Sequence, residues 1–236
     1  MANEPLKVLV ITAHPDDVDF GAAGTVATLT DEGASVTYCI VTDGAAGAAD
    51  PDVDLATLPE LRQREQRMAA AEVGVSEVVF LGYPDGQLQV TLGLRRDLSR
   101  VIRTVRPERV ICQSPERNWG RIRASHPDHL AAGEAALQAV YPDARNPYAH
   151  PELLAAGLEP HAVAQVWLMS SPRPDTYVDV SSTIDRKIAA LKAHRSQVSQ
   201  PEQLEVMVRS WAAALSEEAG LGAGHHAEAF QVVDTG

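Results

Sequence analysis

Short β-rich runs alternate with helix-length segments along nearly the whole chain, and this alternation narrows its fold more than any other feature. Strand-like runs fall at KVLVIT (7–12), VTYCIVT (36–42), EVVFLG (77–82), RVICQS (109–114), AQVWLMS (164–170) and YVDV (177–180). Helical segments lie between them near 18–33, 58–73, 91–106, 128–140 and 181–195. A further helix near 201–217 and a last strand, AFQVVD (229–234), end the pattern. Such repetition predicts an α/β fold: a Rossmann-like, doubly wound, mostly parallel sheet flanked by helices. The expected strand order is about 3-2-1-4-5 with extra C-terminal strands, in a single domain over residues 1–236. A Gly/Ala/Asp-rich loop at 45–54 reads as a lid.

Charge and composition exclude several function classes. Twenty Lys and Arg stand against 32 Asp and Glu, a net charge of −12 that repels polyphosphate, so no nucleic acid partner is expected. No apolar run approaches the ~20 residues of a membrane span. The start, MANEPLKVLV, lacks the basic segment and long apolar core of a signal peptide. Cys39 and Cys112 each sit in an apolar run and read as free buried thiols, which suits a reducing cytoplasm. With no zinc-finger cysteine spacing, any metal must be held by histidine and carboxylate.

In a 3-2-1-4-5 sheet the first and fourth strands are neighbours, and ligands bind in the crevice beyond their carboxyl ends. The first strand runs into ITAHPDDVDFGAAG (11–24); the fourth is followed by PERNWGRIRA and then SHPDHLAAG (125–133). Two His-Pro-Asp motifs, distant in sequence, therefore face one crevice. Catalytic zinc takes three protein ligands and leaves one position for water. His14 and Asp17, three residues apart across Pro15, supply two ligands, and His129 supplies the third from the other side. Asp16 and His126 are then left beside the metal, as a proton-accepting carboxylate and a stabilising imidazole. Asp128 is placed to accept the N–H of His126 and fix its tautomer. Either motif alone reads equally well as a helix cap with Pro in the first turn; the pair points to a metal centre.

AHPDD and SHPDH at these positions resemble the LmbE-like (PIG-L) family of zinc-dependent N-deacetylases. Weaker family-like pieces are TDG (42–44), Arg62 and Glu65 of LRQRE, LGYPDG (81–86), KIAALKAHRSQ (187–197) and AEAF (227–230). The resemblance covers nearly the whole chain. It implies removal of an N-acetyl or related N-acyl group from a small molecule containing N-acetylglucosamine. By this resemblance His14, Asp17 and His129 would hold zinc, or another divalent ion such as Fe²⁺, with Asp16 as general base and His126 as oxyanion stabiliser. It also implies substrate contacts from Arg62 and Asp85, and it allows either a monomer or a homo-oligomer. An amide hydrolase that tailors a glycosylated natural product is the nearest alternative.

Other residues invite plainer readings. Asp85 lies in Tyr-Pro-Asp-Gly, itself a turn sequence. Arg62 can pair with acids on its own helix. Asp43 reads as a turn residue, Asp19 as a surface or capping group, and His194 as a buried, hydrogen-bonded histidine. Neighbouring His225 and His226 point to opposite faces of a strand, so they do not share a metal. Trp119, with Arg117, Arg121 and Arg123, is placed to line the entrance. A nucleotide-binding enzyme has only Gly21-x-x-Gly24 in its favour, and three aspartates stand where pyrophosphate would approach. A binding module without chemistry would lack one of the expected groups, yet all are present.

Overall fold

A computed structural model of the chain describes residues 4–47 and 54–236, so 48–53 of the expected lid lie outside the described residues. The strands are β1 (Lys7–Thr12), β2 (Ser35–Thr42), β3 (Glu77–Tyr83), β4 (Arg109–Gln113), β5 (Gln165–Met169), β6 (Thr176–Asp179) and β7 (Ala227–Asp234). They form one sheet in the order β3-β2-β1-β4-β5-β7-β6. The first five are parallel, and β7 pairs antiparallel with both β5 and β6. The order expected from sequence is thus present, with the two late strands added at one edge.

Helices α1 (Asp17–Asp31), α2 (Leu58–Glu72), α3 (Leu92–Val105), α4 (Pro127–Gln138), α5 (Pro151–Ala155), α6 (Ile184–Ala193) and α7 (Pro201–Glu218) surround the sheet. Alternate residues of each central strand enter opposite layers. Val8 and Val10 pack with Ala22, Val26, Ala69 and Ala70 of α1 and α2. Leu9 and Ile11 pack with Leu94, Leu98, Ala132 and Ala135 of α3 and α4. Covering both faces is why these strands read as unbroken apolar runs rather than as alternation. Leu9, Ile11 and Ile111 are wholly buried, each stabilising the fold by about 1.5–3 kcal/mol. That burial fixes the register of β1 on β4, with Ile11 opposite Cys112, and so fixes which loops meet beyond the strand ends.

Two close approaches complete the frame. A side chain at Gly133 would overlap the Gln113 carbonyl, so α4 lies directly against the end of β4. Gly24 of α1 sits where a Cβ would come 2.8 Å from Val180. Behind it the buried Glu228 accepts hydrogen bonds from the Gly24 and Thr25 amides and pairs with Lys187. Glu228 explains why β7 begins two residues before the expected AFQVVD. Its charge hides a buried strand position, because Lys187 and two amides satisfy it. The helix expected from 181 starts instead at Ile184, after a turn closed by Thr183 N–H on the Val180 carbonyl.

Cys39 and Cys112 are free and buried, as expected. Both flank Ile11, on strands either side of β1. Two strand spacings of about 4.8 Å separate their backbones, beyond the reach of a disulfide. No helix among the described residues is long and apolar enough to cross a membrane.

Candidate active site

The chain leaves β1 at Thr12, and the turn that follows is not a conventional cap. Asp16 adopts φ 90°, a left-handed conformation, and its side chain caps nothing. The strain of such a residue, about 1–3 kcal/mol, is met by neighbouring elements. Gln66 accepts the Asp16 N–H at 2.8 Å, and Arg62 Nη2 donates to the Pro15 carbonyl at 2.7 Å. Gln113 of β4 accepts the Ala13 N–H at 2.9 Å. This bent entry turns Asp17 back toward His14, whose N–H donates to Asp17 Oδ2 at 2.7 Å.

Beyond β4 the second motif behaves differently. His126 Nδ1 accepts the Asp128 N–H at 3.2 Å and caps α4, with Pro127 as the first helical residue. One turn on, His129 reaches the first motif. His14 Nδ1 lies 3.2 Å from Asp17 Oδ2 and 3.3 Å from His129 Nε2, and His129 Nε2 lies 3.0 Å from Asp17 Oδ1. Tetrahedral zinc with bonds of about 2.0–2.1 Å holds neighbouring ligand atoms about 3.3–3.4 Å apart, so the spacing fits.

Tautomers strengthen the fit. His14 Nε2 lies 2.9 Å from Asp85 Oδ1, which places its proton there and leaves Nδ1 with a lone pair. His129 Nδ1 faces the Ala124 carbonyl at 3.4 Å, which leaves Nε2 likewise unprotonated. In these tautomers two imidazole lone pairs and one carboxylate converge, a donor set that fits a cation. Without a cation the same acids hold a proton in its place. Burial opposes a charge on His14, but Asp17 and Asp85 outweigh it and raise its pKa to about 10. Burial likewise works against ionised Asp17, yet His129 and His14 hold it far below the carboxylate range. His14, His126 and His129 also form a group with metal-compatible spacing.

Beside this triad, burial and the charge of Asp17 raise Asp16 to about 6, against the pull of Arg62. The exposed His126 ring is centred 5.0 Å from that of His14 and 5.2 Å from that of His129. Burial and the two neighbouring histidines lower its pKa, so it is neutral at pH 7. With Nδ1 accepting from the backbone, its proton sits on Nε2.

Three expectations need correction. The Asp128 carboxylate does not take the His126 N–H: it accepts Gly86 N–H at 2.7 Å and Leu88 N–H at 3.2 Å, beneath the loop after β3. Its Oδ2 lies 3.4 Å from His14 Nε2, so it supports the other histidine. Asp19 is neither surface nor cap but wholly buried, accepting from Gln66 Nε2 at 2.9 Å and lying 2.8 Å from His194 Nε2. Trp119 is 80% exposed, paired with Arg117 and away from the site's walls, whereas Arg121 and Arg123 do line the cleft.

Arg62 and Asp85 border the site with most of their polar atoms engaged, although the buried Arg62 Nε has no hydrogen-bond partner. Arg62 donates to Pro15, Gly44 and Asp16. Asp85 Oδ2 accepts the Ala46 N–H, and Asp43 holds the Ala45 and Asp85 amides. His194 is buried and hydrogen-bonded, as the sequence suggested. Gln66 and Gln113 escaped sequence reasoning. Their partners are backbone amides of a turn whose geometry no residue pattern announces.

Comparison with known proteins identifies relatives of this chain. Residues 9–140, more than half of the chain, match the family described as PIG-L: GlcNAc-PI de-N-acetylase. Diacetylchitobiose deacetylase of Thermococcus kodakarensis is 33% identical, over 98% of this chain and 84% of the relative. A probable N-acetyl-alpha-D-glucosaminyl L-malate deacetylase of Bacillus cereus is also 33% identical, over 80% of this chain and 83% of its own. The solved N,N'-diacetylchitobiose deacetylase of Pyrococcus horikoshii superposes with a TM-score of 0.88 at 30% identity, covering 97% of this chain and 84% of that one. This chain belongs to the PIG-L (LmbE-like) family.

Proposed function

We propose that this chain hydrolyses the N-acyl group of a small molecule built on N-acetylglucosamine, with a divalent cation held by His14, Asp17 and His129. The observation that carries the reading is the convergence of three metal-competent side chains, with contacts of 3.0–3.3 Å between them and an ionisable carboxylate beside them. The relatives' activities on acetylated amino sugars support the substrate class. Zn²⁺ suits the His₂Asp donor set, as does Fe²⁺. Such a cation supplies Lewis acidity: it polarises a carbonyl and lowers the pKa of water toward ~7.

The remaining chemistry falls to the chain itself. Asp16, whose pKa burial and Asp17 lift to about 6, accepts the proton of the attacking water. With a dication bound by its neighbours, Asp16 would be held ionised at neutral pH. As the water oxygen bonds to the acyl carbon, His126 Nε2–H donates to the carbonyl oxygen that gains charge. The carbon–nitrogen bond then breaks, and Asp16 or His126 delivers a proton to the departing amine. The products are a carboxylate and a free amino sugar. Arg62 and Asp85 act here mainly by fixing the turn and the His14 tautomer, and they border the sugar only secondarily.

We further read the chain as one domain over residues 1–236 acting in the cytoplasm. The two free buried thiols support a reducing compartment. The test is amine release from a panel of N-acetylglucosaminides by metal-reconstituted protein. Turnover on at least one member is expected, with Asp16→Asn about 10²–10⁴-fold slower at unchanged cation content. An Asp16→Asn variant as fast as the parent would overturn the assignment.

A further inference from the structure

Two cavities meet at the triad. One, of about 320 Å³, is polar and is bordered by His14, Asp16, Arg62, Asp85 and His126. The other, of about 560 Å³, runs the opposite way across the ends of β4 and β5, toward α7. Its walls include Phe20, Ile122, Met169, Met207 and Trp211. Asp17 and His129 border both, so the apolar cavity begins at the reaction centre itself.

The apolar side leaves hydrophobic surface in water: Phe20, Ile122 and Trp211 are 38%, 55% and 48% exposed. Beyond the triad its polar wall groups are Gln113, Arg121, Arg123 and Ser170, and the rest of the wall is apolar. Gln113 accepts from Ala13, and Arg121 lies over the Trp211 ring at 5.6 Å. A sugar ring placed there would give up water for few replacement hydrogen bonds, whereas a hydrocarbon would gain. The volume lies within the ~300–1,000 Å³ of small-molecule sites, and the methyl of an acetyl group would leave most of it empty.

Amide geometry says which part of a substrate enters. A secondary amide is planar and trans, so its nitrogen and carbonyl substituents leave in opposite directions. With the amino sugar on the polar side, the acyl substituent points into the apolar cavity. A group on the anomeric oxygen is separated from the amide nitrogen by two ring carbons. It cannot be the first to enter a cavity whose wall is formed by the triad.

We propose that this cavity is an acyl subsite, and that the preferred substrate carries a linear N-acyl chain longer than acetyl, about four to eight carbons. The proposal rests on the hydrolase reading above and extends it to the acyl group. Its test is kcat/KM for amine release from one glucosamine glycoside bearing N-acetyl, N-butanoyl, N-hexanoyl or N-octanoyl groups. Each buried methylene is expected to raise the rate constant up to about fourfold, giving hexanoyl at least a tenfold advantage over acetyl. Ile122→Asp, at an exposed position that tolerates charge, is expected to lower the hexanoyl-to-acetyl ratio about tenfold.

The outcomes separate the two readings. Cleavage of acetyl with longer amides no better overturns the subsite and leaves the deacetylase reading intact. A gain from an octyl aglycone on N-acetylglucosamine, without one from the longer acyl chain, assigns the cavity to the aglycone and likewise overturns the proposal. An Ile122→Asp variant with an unchanged ratio does the same. Failure of the metal-loaded protein to cleave any amide removes the hydrolase reading, and the acyl subsite with it.

Discussion

The two His-Pro-Asp motifs carry the same three residues at the carboxyl ends of adjacent strands, yet they assign those residues opposite work. In the first, the helix begins only at Asp17, after a left-handed Asp16. In the second, it begins at Pro127, and His126 is the cap. This shift of two residues changes every role but the last. His14 Nδ1 is free to face the triad, whereas His126 Nδ1 is occupied by a backbone amide. The Asp16 carboxylate borders the polar cavity, whereas Asp128 is buried beneath a loop. Only the fourth residues, Asp17 and His129, meet on equal terms, 3.0 Å apart. A motif's chemistry is set by where its helix starts as much as by its letters.

The sharpest way to break this comparison is to remove the two second-motif histidines separately. His129→Ala is expected to abolish stoichiometric cation binding and to lower turnover on the order of a thousandfold or more. His126→Ala should keep the cation and lose about 10²–10³-fold in kcat, the range for a lost oxyanion donor. Elemental analysis beside amine-release kinetics distinguishes the two. If His126→Ala also sheds its cation, the imidazole is a ligand and the motifs are more alike than their backbones suggest.

A smaller effect, on stability, separates the two third residues. Asp128 is buried and accepts two backbone N–H groups, so Asp128→Asn places an amide donor against them. A loss of about 1–3 kcal/mol follows in urea or thermal unfolding of the cation-free protein. Asp16→Asn should act in the opposite sense. Burial and Asp17 raise the Asp16 pKa from 3.8 to about 6, so its ionised form is disfavoured by the fold at neutral pH. Removing that charge should leave Tm unchanged or higher. An Asp16→Asn variant less stable than Asp128→Asn would mean that its pairing with Arg62 outweighs the neighbouring carboxylate.

Much of this was legible in the sequence because it follows from periodicity and strand adjacency. The order 3-2-1-4-5 and the meeting of residues 14–17 with 126–129 both come from alternating elements in a parallel sheet. What escaped depended on partners that no local pattern joins. Asp19 looked like a surface acid because its neutralising partner, His194, arrives from the end of α6. Asp128 was assigned to the nearest histidine in sequence, while its hydrogen-bonding partners, Gly86 and Leu88, belong to the loop after β3. The apolar cavity was invisible for the same reason. Its apolar walls come from α1, β5, α7 and the turn before α4, and none of those apolar residues is unusual alone.

The least of the expected effects concerns what holds the first motif in its strained form, for which the second has no counterpart. Asp16 N–H is held by Gln66, Gln66 donates to Asp19, and Asp19 pairs with His194. Burial opposes a charge on His194, but the bond to Asp19 and the charges of Asp19, Asp16 and Glu65 outweigh it and raise its pKa above 6.5. A histidine whose pKa is raised by folding stabilises the fold fully below its unfolded value near 6.5. That contribution fades as pH climbs through the higher folded value. Tm of the cation-free protein should therefore decline from neutral pH upward, His14 contributing as well, and His194→Gln should make the decline shallower while lowering Tm at about pH 6. The capped turn at His126 needs no such charge, so a wild-type slope retained in His194→Gln would place its origin elsewhere. The two motifs would then differ in backbone shape but not in how that shape is held.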